Sequence, residues 1–199
     1  MADGPRYTVR YRRRREGRTD YKLRRALVRS GKPRAVVRLT NQYVTVQVAE
    51  ATPKGDLVKA SASSKELSKM GWKGGQGNLP AAYLTGALAA RRAVAGGVKE
   101  AILDIGLRGP TKGSKIFAAL KGLADSGFAV PHSDELLPSM DRINGSHISK
   151  YAKSLAGEQE VYKKRFSKYL RQGLKPEDLS GHFEQIKKTV LESPLEAKR

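Results

Sequence analysis

Apolar and polar residues alternate strictly in the segment Val44-Thr45-Val46-Gln47-Val48. Alternation with a period of two is typical of a strand with one buried face. Similar apolar runs precede and follow it, at residues 35–39 and 57–62. The intervening segments, Thr40-Asn41-Gln42 and Thr52-Pro53-Lys54-Gly55, consist of turn-forming residues. The sequence therefore predicts an antiparallel meander of three strands.

Helical signals follow the meander. Asn78 and Pro80 are typical of a helix start, and the Gly96-Gly97 pair is typical of a helix end near residue 95. The predicted apolar stripe of this helix consists of Leu79, Tyr83, Ala87, Ala90 and Val94, whose small members allow close approach to a sheet. Residues 98–105 predict a fourth strand, and Gly113-Ser114 opens another helix. A meander followed by helix, strand and helix indicates a layered α/β fold.

The pattern is less regular past residue 131, until about residue 148. Two further helices are predicted, near residues 158–171 and from Pro176 onward. Their basic residues are interpreted as solvated surface, with contact to RNA as the alternative. The predicted fold class is α/β: a three-stranded antiparallel meander plus a fourth strand packed with helices, a basic N-terminal extension and a C-terminal helical appendage. The predicted division is 1–33 for the extension with its short helix, 34–130 for the α/β domain, 131–157 for an irregular linker and 158–199 for the appendage.

The chain of 199 residues is strongly basic, with 39 Lys and Arg against 19 Asp and Glu, a formal net charge of +20. Solubility requires a net charge of only about 2–8 in a small domain. Residues 1–38 hold 14 Lys and Arg and 3 Asp and Glu, so more than half of the net charge lies in a fifth of the chain. Such a concentrated excess indicates a polyanionic partner.

Composition also excludes several classes of protein. Cysteine is absent, which excludes disulfides, thiolate metal sites and cysteine nucleophiles. The most apolar stretch, residues 79–90, is shorter than the roughly 20 apolar residues that span a bilayer. We therefore expect a soluble cytosolic protein.

An unbroken arginine run, Arg12-Arg13-Arg14-Arg15, lies near the N-terminus and is flanked by further arginines and interleaved with tyrosines. The flanking residues are Arg6, Arg10, Arg18, Tyr7, Tyr11 and Tyr21. Like charges repel, so the run alone is expected to be extended or disordered. Guanidinium groups pair with phosphates, and tyrosine rings stack on unpaired bases, so the mixture favours folded RNA as the partner. A solvated tail or a localisation signal is the alternative.

A short helix is predicted after the arginine run. Thr19 is the predicted N-cap, Asp20 favours the positive end of the helix, and Gly31 and Pro33 end it. Its narrow apolar face consists of Leu23, Ala26 and Leu27, and the other faces carry Lys22, Arg24, Arg25 and Arg29, followed by Lys32. A basic amphipathic helix can also lie on an anionic membrane, but this apolar face is short and narrow for that role.

One segment has the topology of a nucleotide-binding loop. Residues 102–119 predict strand, glycine-containing loop and helix, yet Gly109-Pro110-Thr111-Lys112-Gly113-Ser114-Lys115 lacks the spacing of a Walker A motif. A helix start bearing Lys112, Ser114 and Lys115 suits a backbone phosphate of RNA instead. The three histidines are far apart in sequence, and no catalytic, metal or cofactor site is predicted.

Several motifs in order along the chain resemble one family. They are YRRRREGRTDY at 11–21, KPRAVVR at 32–38, NLPAAYLTG at 78–86, AILDIGL at 101–107, PTKGSKIFAALKG at 110–122, VPHS at 130–133 and GSHI at 145–148. Together they are similar to the archaeal large-subunit ribosomal protein eighteen family, whose eukaryotic relatives are numbered five.

The resemblance implies a structural protein that binds 5S rRNA and anchors it to the 23S-type rRNA, beside neighbouring ribosomal proteins, in the central protuberance of the cytoplasmic ribosome. Trp72 and Lys73, in a glycine-rich loop, join the RNA-contact set on this resemblance. The predicted RNA-binding residues are Arg6, Tyr7, Arg10, Tyr11, Arg12, Arg13, Arg14, Arg15, Arg18, Tyr21, Lys22, Arg24, Arg25, Arg29, Lys32, Trp72, Lys73, Lys112 and Lys115. The alternatives are an extraribosomal RNA-binding assembly factor and a nucleotide-dependent RNA-processing enzyme.

Overall fold

A four-stranded sheet forms the centre of the computed structural model, which describes Gly4 and residues 7–192. Its strands are β1 (Arg34–Leu39), β2 (Val44–Thr52), β3 (Gly55–Ser63) and β4 (Ile102–Asp104), in the spatial order β3-β2-β1-β4. The first three form the predicted antiparallel meander, and β4 pairs with β1 in parallel. The predicted fold class is confirmed.

Helices account for about half of the described residues outside the sheet. They are α1 (Arg12–Arg15), α2 (Tyr21–Arg29), α3 (Leu79–Ala95), α4 (Lys115–Asp125), α5 (Met140–Ile143), α6 (Ser146–Ser154), α7 (Gln159–Arg165), α8 (Ser167–Arg171) and α9 (Leu179–Glu192). Within the described residues, no helix is both long and apolar enough to span a membrane.

The core lies between one face of the sheet and helix α3. Val44, Val46 and Val48 are buried there, whereas Thr45 and Gln47 between them are only half-buried. The alternation in β2 therefore decides which face of the sheet meets the helices, as the sequence predicts.

Helices α3 and α4 cross at two glycines. A Cβ atom on Gly86 would lie 2.0 Å from the Ala119 carbonyl oxygen, and one on Gly122 would lie 2.1 Å from that of Tyr83. Backbones this close leave no room for any side chain at either position. The small residues of α3 thus permit close contact with a second helix as well as with the sheet.

Several local expectations are corrected by the structure. The N-cap of α2 is Asp20, not Thr19, because the Asp20 carboxylate accepts hydrogen bonds from the amides of Lys22 and Leu23. Val94 is exposed rather than part of the buried stripe of α3. The fourth strand covers only Ile102–Asp104, since the chain before it makes just one isolated bridge, from Glu100 to Ala129.

The C-terminal part contains more structure than its sequence indicates. Short helices α5 and α6 lie where the pattern lapses, and the predicted helix at 158–171 is divided into α7 and α8 at Phe166. The buried residues of α9, among them Phe183, join the main core, where the ring of Phe183 lies 5.7 Å from that of Tyr83. The division at residues 34, 131 and 158 stays a prediction.

Candidate nucleic-acid interface

The arginine run forms a helical turn instead of an extended segment. Arg12–Arg15 make up α1, and all four side chains are exposed. Glu16 lies 3.6 Å from Arg12 and 3.2 Å from Arg18, so one carboxylate offsets part of the repulsion that the sequence predicts. Arg13 donates through Nε to the Thr19 hydroxyl, 2.8 Å away. The expectation of an extended run is therefore wrong for these residues.

The basic residues of α2 separate into two groups. Lys22, Arg25 and Arg29 are exposed, whereas Arg24 is half-buried and faces the sheet. Arg24 Nη2 lies 2.9 Å from both carboxylate oxygens of Asp56 at the start of β3. No residue of α2 is buried, so this ion pair is a principal attachment of the helix to the sheet.

The same attachment continues into the sheet as a chain of alternating charges. Asp56 lies 2.7 Å from Nη2 of Arg34, and Nη1 of Arg34 lies 2.9 Å from Asp104. Asp104 is also 2.9 Å from Nη2 of Arg38. Arg34 is only 2% exposed, and a buried guanidinium is stable only when it is paired.

The charge of Asp56 is held by its partners. Burial raises the pKa of the Asp56 carboxyl, whereas the hydrogen bonds and charges of Arg34 and Arg24 lower it. Together the two arginines have the larger effect, so the pKa of Asp56 lies below its ordinary value of 3.8. Asp56 therefore remains ionised at neutral pH and keeps both arginines in place.

The N-terminal tyrosines lie at or near the surface of the protein. Tyr7 and Tyr11 are exposed, Tyr11 by 72%, and the half-buried ring of Tyr21 lies 5.2 Å from that of Tyr11. Arg10 and Lys32 are exposed as well, and Lys32 lies 3.0 Å from Glu100. Arg6 lies outside the described residues.

The glycine-rich loop does not offer its tryptophan to a ligand. Trp72 is 2% exposed, its indole N–H donates to the Gly75 carbonyl, and its ring stacks on His182 at 5.2 Å. Lys73 is exposed, and its amide donates to Nε2 of His182. Burial therefore removes the Trp72 ring from the surface that RNA can reach, and the loop docks α9.

The other two predicted lysines lie in the loop before α4 and at the start of that helix. Lys112 is exposed and lies 3.0 Å from Glu135, and Lys115 is half-buried in the first turn of α4. Ser114 caps that helix by position, yet its side chain makes no capping hydrogen bond. Lys112 thus lies beside a carboxylate, which reduces the local charge that the sequence alone predicts.

Sequence reasoning missed two arginines on the same side of the molecule. Arg38 lies on the outer face of β1 and donates to the Asp104 carbonyl at 2.7 Å, and Arg108 lies 3.4 Å from the Leu39 carbonyl. Because β1 and β4 are parallel, their carboxyl ends meet at one edge of the sheet. The period-two pattern around Val37 places Arg38 on the outer face, but the link to β4 has no local signal.

Comparison with known proteins gives the class to which this fold and basic surface belong. Residues 5–97 and 95–133 match the family described as "Ribosomal large subunit proteins 60S L5, and 50S L18". The class is thus the structural proteins of the large ribosomal subunit, and not enzymes.

Individual relatives extend the match to almost the whole chain. The large ribosomal subunit protein uL18 of Caldivirga maquilingensis is 54% identical over 194 residues, 96% of this chain and 94% of that protein. The uL18 protein of Methanothermobacter thermautotrophicus is 53% identical over 96% of this chain and 98% of its own length. The uL18 protein of Thermofilum pendens is 53% identical over 97% of this chain and 99% of its own length.

The chain belongs to this family of large-subunit ribosomal proteins, as its motifs predict. It acts in the ribosome, in the cytoplasm, in association with rRNA and other ribosomal proteins. The predicted structural role and location are confirmed at this level.

Proposed function

We propose that the protein binds 5S rRNA and anchors it to the 23S-type rRNA in the central protuberance of the large subunit. The single observation that carries the proposal is that the exposed basic extension is attached to the folded body by the Arg24–Asp56 ion pair. When a basic segment is attached at one point of a folded body, its phosphate contacts can take one defined arrangement on an RNA.

The distribution of charge supports a structured RNA as the partner. Exposed arginines of α1 and exposed basic residues of α2 lie on consecutive helices, and exposed tyrosines lie beside them. Arginine forks recognise phosphates, and tyrosine rings stack on bases that have left a duplex. The extension therefore suits an RNA that contains both paired and unpaired nucleotides.

A titration of 5S rRNA against an unrelated folded RNA of similar size, at two salt concentrations, tests the proposal. We expect a preference for 5S rRNA that persists as salt rises, because electrostatic contacts alone do not discriminate between RNAs. Equal binding to both RNAs, falling together with salt, would contradict 5S recognition.

A charge-matched pair of variants assigns the surface. Replacing Arg12–Arg15 with Ala removes four positive charges from α1. Each phosphate contact that is lost lowers the slope of log K against log salt by about 0.7–0.9. The control replaces four exposed basic residues of α7 and α8 with Ala: Lys163, Lys164, Arg165 and Lys168. We expect a large loss of slope in the first variant and little in the control, and equal losses would refute the assignment.

A further inference from the structure

A cleft of about 240 Å³ lies between the N-terminal extension and the edge of the sheet. Arg13 and Arg18 line it from the extension, Leu23 and Leu27 from α2, and the loop after β4 closes it. The Arg24–Asp56 pair described above holds α2 over this edge, so the cleft is built by the attachment of the extension.

The rim of the cleft is positively charged. Five arginines line it, against two aspartates: Arg13, Arg18, Arg24, Arg38 and Arg108, with Asp20 and Asp104. Asp20 is engaged in capping α2, and Asp104 binds the two arginines of β1. Arg18 and Arg24 are also paired, with Glu16 and Asp56 respectively. Each guanidinium carries five N–H donors, so donors remain for a ligand, and the rim is complementary to an anion.

Apolar side chains line part of the cleft, and together they are called its floor. Leu23, Leu27 and Ile105 form this floor, and they also line a second groove of about 430 Å³. Leu23 is 39% exposed although its helix faces the body, so the leucines of α2 are incompletely covered. An apolar floor beneath a cationic rim matches a ligand with a flat apolar part and an anionic part.

We propose that this cleft binds one unpaired nucleotide of RNA, with the base on the leucine floor and the phosphate at the arginine rim. This inference rests on the proposed function, since the RNA must first be bound by the extension. The volume is slightly below the roughly 300–1,000 Å³ of typical small-molecule pockets, which suits a single nucleoside. Guanidinium planes at the rim can also stack on the base.

The test compares a fluorescently labelled single-stranded oligouridine RNA with a duplex RNA that carries the same number of phosphates, by anisotropy. Leu23→Ala shortens the floor, and Val28→Ala is its matched control, because Val28 lies on another side of α2 and is 37% exposed. We expect Leu23→Ala to weaken single-strand binding about three- to tenfold and to leave duplex binding within about twofold.

A rim variant adds an electrostatic readout. Arg108→Ala is expected to lower the salt slope for the single strand by about 0.7, the value for one lost phosphate contact. Photo-crosslinking of the wild-type complex with a 4-thiouridine-containing strand is expected to label peptide 100–108, which contains Ile105 and Arg108.

The outcomes separate this proposal from the proposed function. If Leu23→Ala lost equal affinity for the single strand and for the duplex, Leu23 would only hold the helix in place. If it lost affinity for neither RNA, the leucine floor would not contact RNA. Displacement of the strand by an acidic heptapeptide in a Leu23-dependent manner would assign the cleft to a protein partner. Each of these results overturns the nucleotide site, while 5S recognition is decided separately by the 5S titration.

Discussion

Arg34 and Asp104 form a buried ion pair between two parallel neighbouring strands, with Nη1 and Oδ2 2.9 Å apart. The two residues are 70 positions apart in sequence. Asp104 also binds Arg38 and accepts the Gly106 amide, so one carboxylate joins β1, β4 and the loop that follows β4. This pair connects the sheet to the surface that carries the basic extension.

Replacing Arg34 with Met is expected to lower the free energy of unfolding by about 3 kcal/mol. This value is at the lower end of the range for breaking a buried ion pair, because Asp104 remains paired with Arg38. Urea unfolding measures the change. Arg29→Met, on the exposed side of α2, is the control and should stay within about 0.5 kcal/mol. A loss in Arg34→Met no larger than in the control would refute the role of the pair.

Replacing Asp56 with Asn is expected to weaken RNA binding although it makes the protein more positive. Without the Asp56 carboxylate, α2 is bound to the sheet in a smaller fraction of the molecules. The affinity for RNA falls about threefold if that fraction drops to about a third. The salt slope should not change, because Asp56 contacts no phosphate. Titration with 5S rRNA at several salt concentrations measures both quantities.

Glu50→Gln is the matched control for Asp56→Asn. Glu50 pairs with Lys59 at 3.2 Å and is not part of the charge chain that attaches α2. Its removal should leave RNA affinity unchanged or slightly higher, as simple charge predicts. Tighter binding by both variants would show that Asp56 acts only through its negative charge.

Gly122→Ala is expected to destabilise the protein by about 3 kcal/mol, because the new methyl group would overlap the Tyr83 carbonyl. Gly181→Ala, in α9, meets nothing within 4 Å and is the control. It should stabilise the helix by about 0.5–1 kcal/mol. Thermal unfolding followed by circular dichroism compares them, and similar melting temperatures would contradict the close helix crossing.

Stability is expected to decrease as the pH falls below about 6.5. Burial, and then the charge of Lys73, lower the pKa of His182, and burial with Arg142 lowers the pKa of His147. Both histidines therefore take up protons more readily when unfolded than when folded, so their contribution to stability is present above the unfolded value of 6.5 and is lost as the pH falls below it.

Calorimetry between pH 7.5 and 5 measures this dependence. His182→Gln keeps an acceptor for the Lys73 amide but cannot titrate, so its melting temperature should vary less with pH. Carboxylates contribute at lower pH in both proteins. An identical pH dependence in wild type and variant would exclude His182 as a source.

The sequence predicts the helices and strands better than it predicts the contacts between them. The alternation around Val46 and the caps at Asn78 and Gly96 are local signals, and the structure confirms the corresponding strand and helix. The pairing of Arg34 with Asp104 depends on two strands that meet through a long connection, and no local pattern encodes it. Trp72 shows the same limit, since its position in a glycine-rich loop suggests exposure, whereas His182, far along the chain, covers it.

The stacking of Trp72 on His182 provides a natural fluorescent reporter of this contact. The chain has one tryptophan, so its tryptophan fluorescence arises from a single site where the glycine-rich loop meets α9. Because that buried ring stacks on a residue of α9, its emission reports on whether α9 is packed against the loop. A spectroscopist can therefore follow that helix during assembly without attaching a dye.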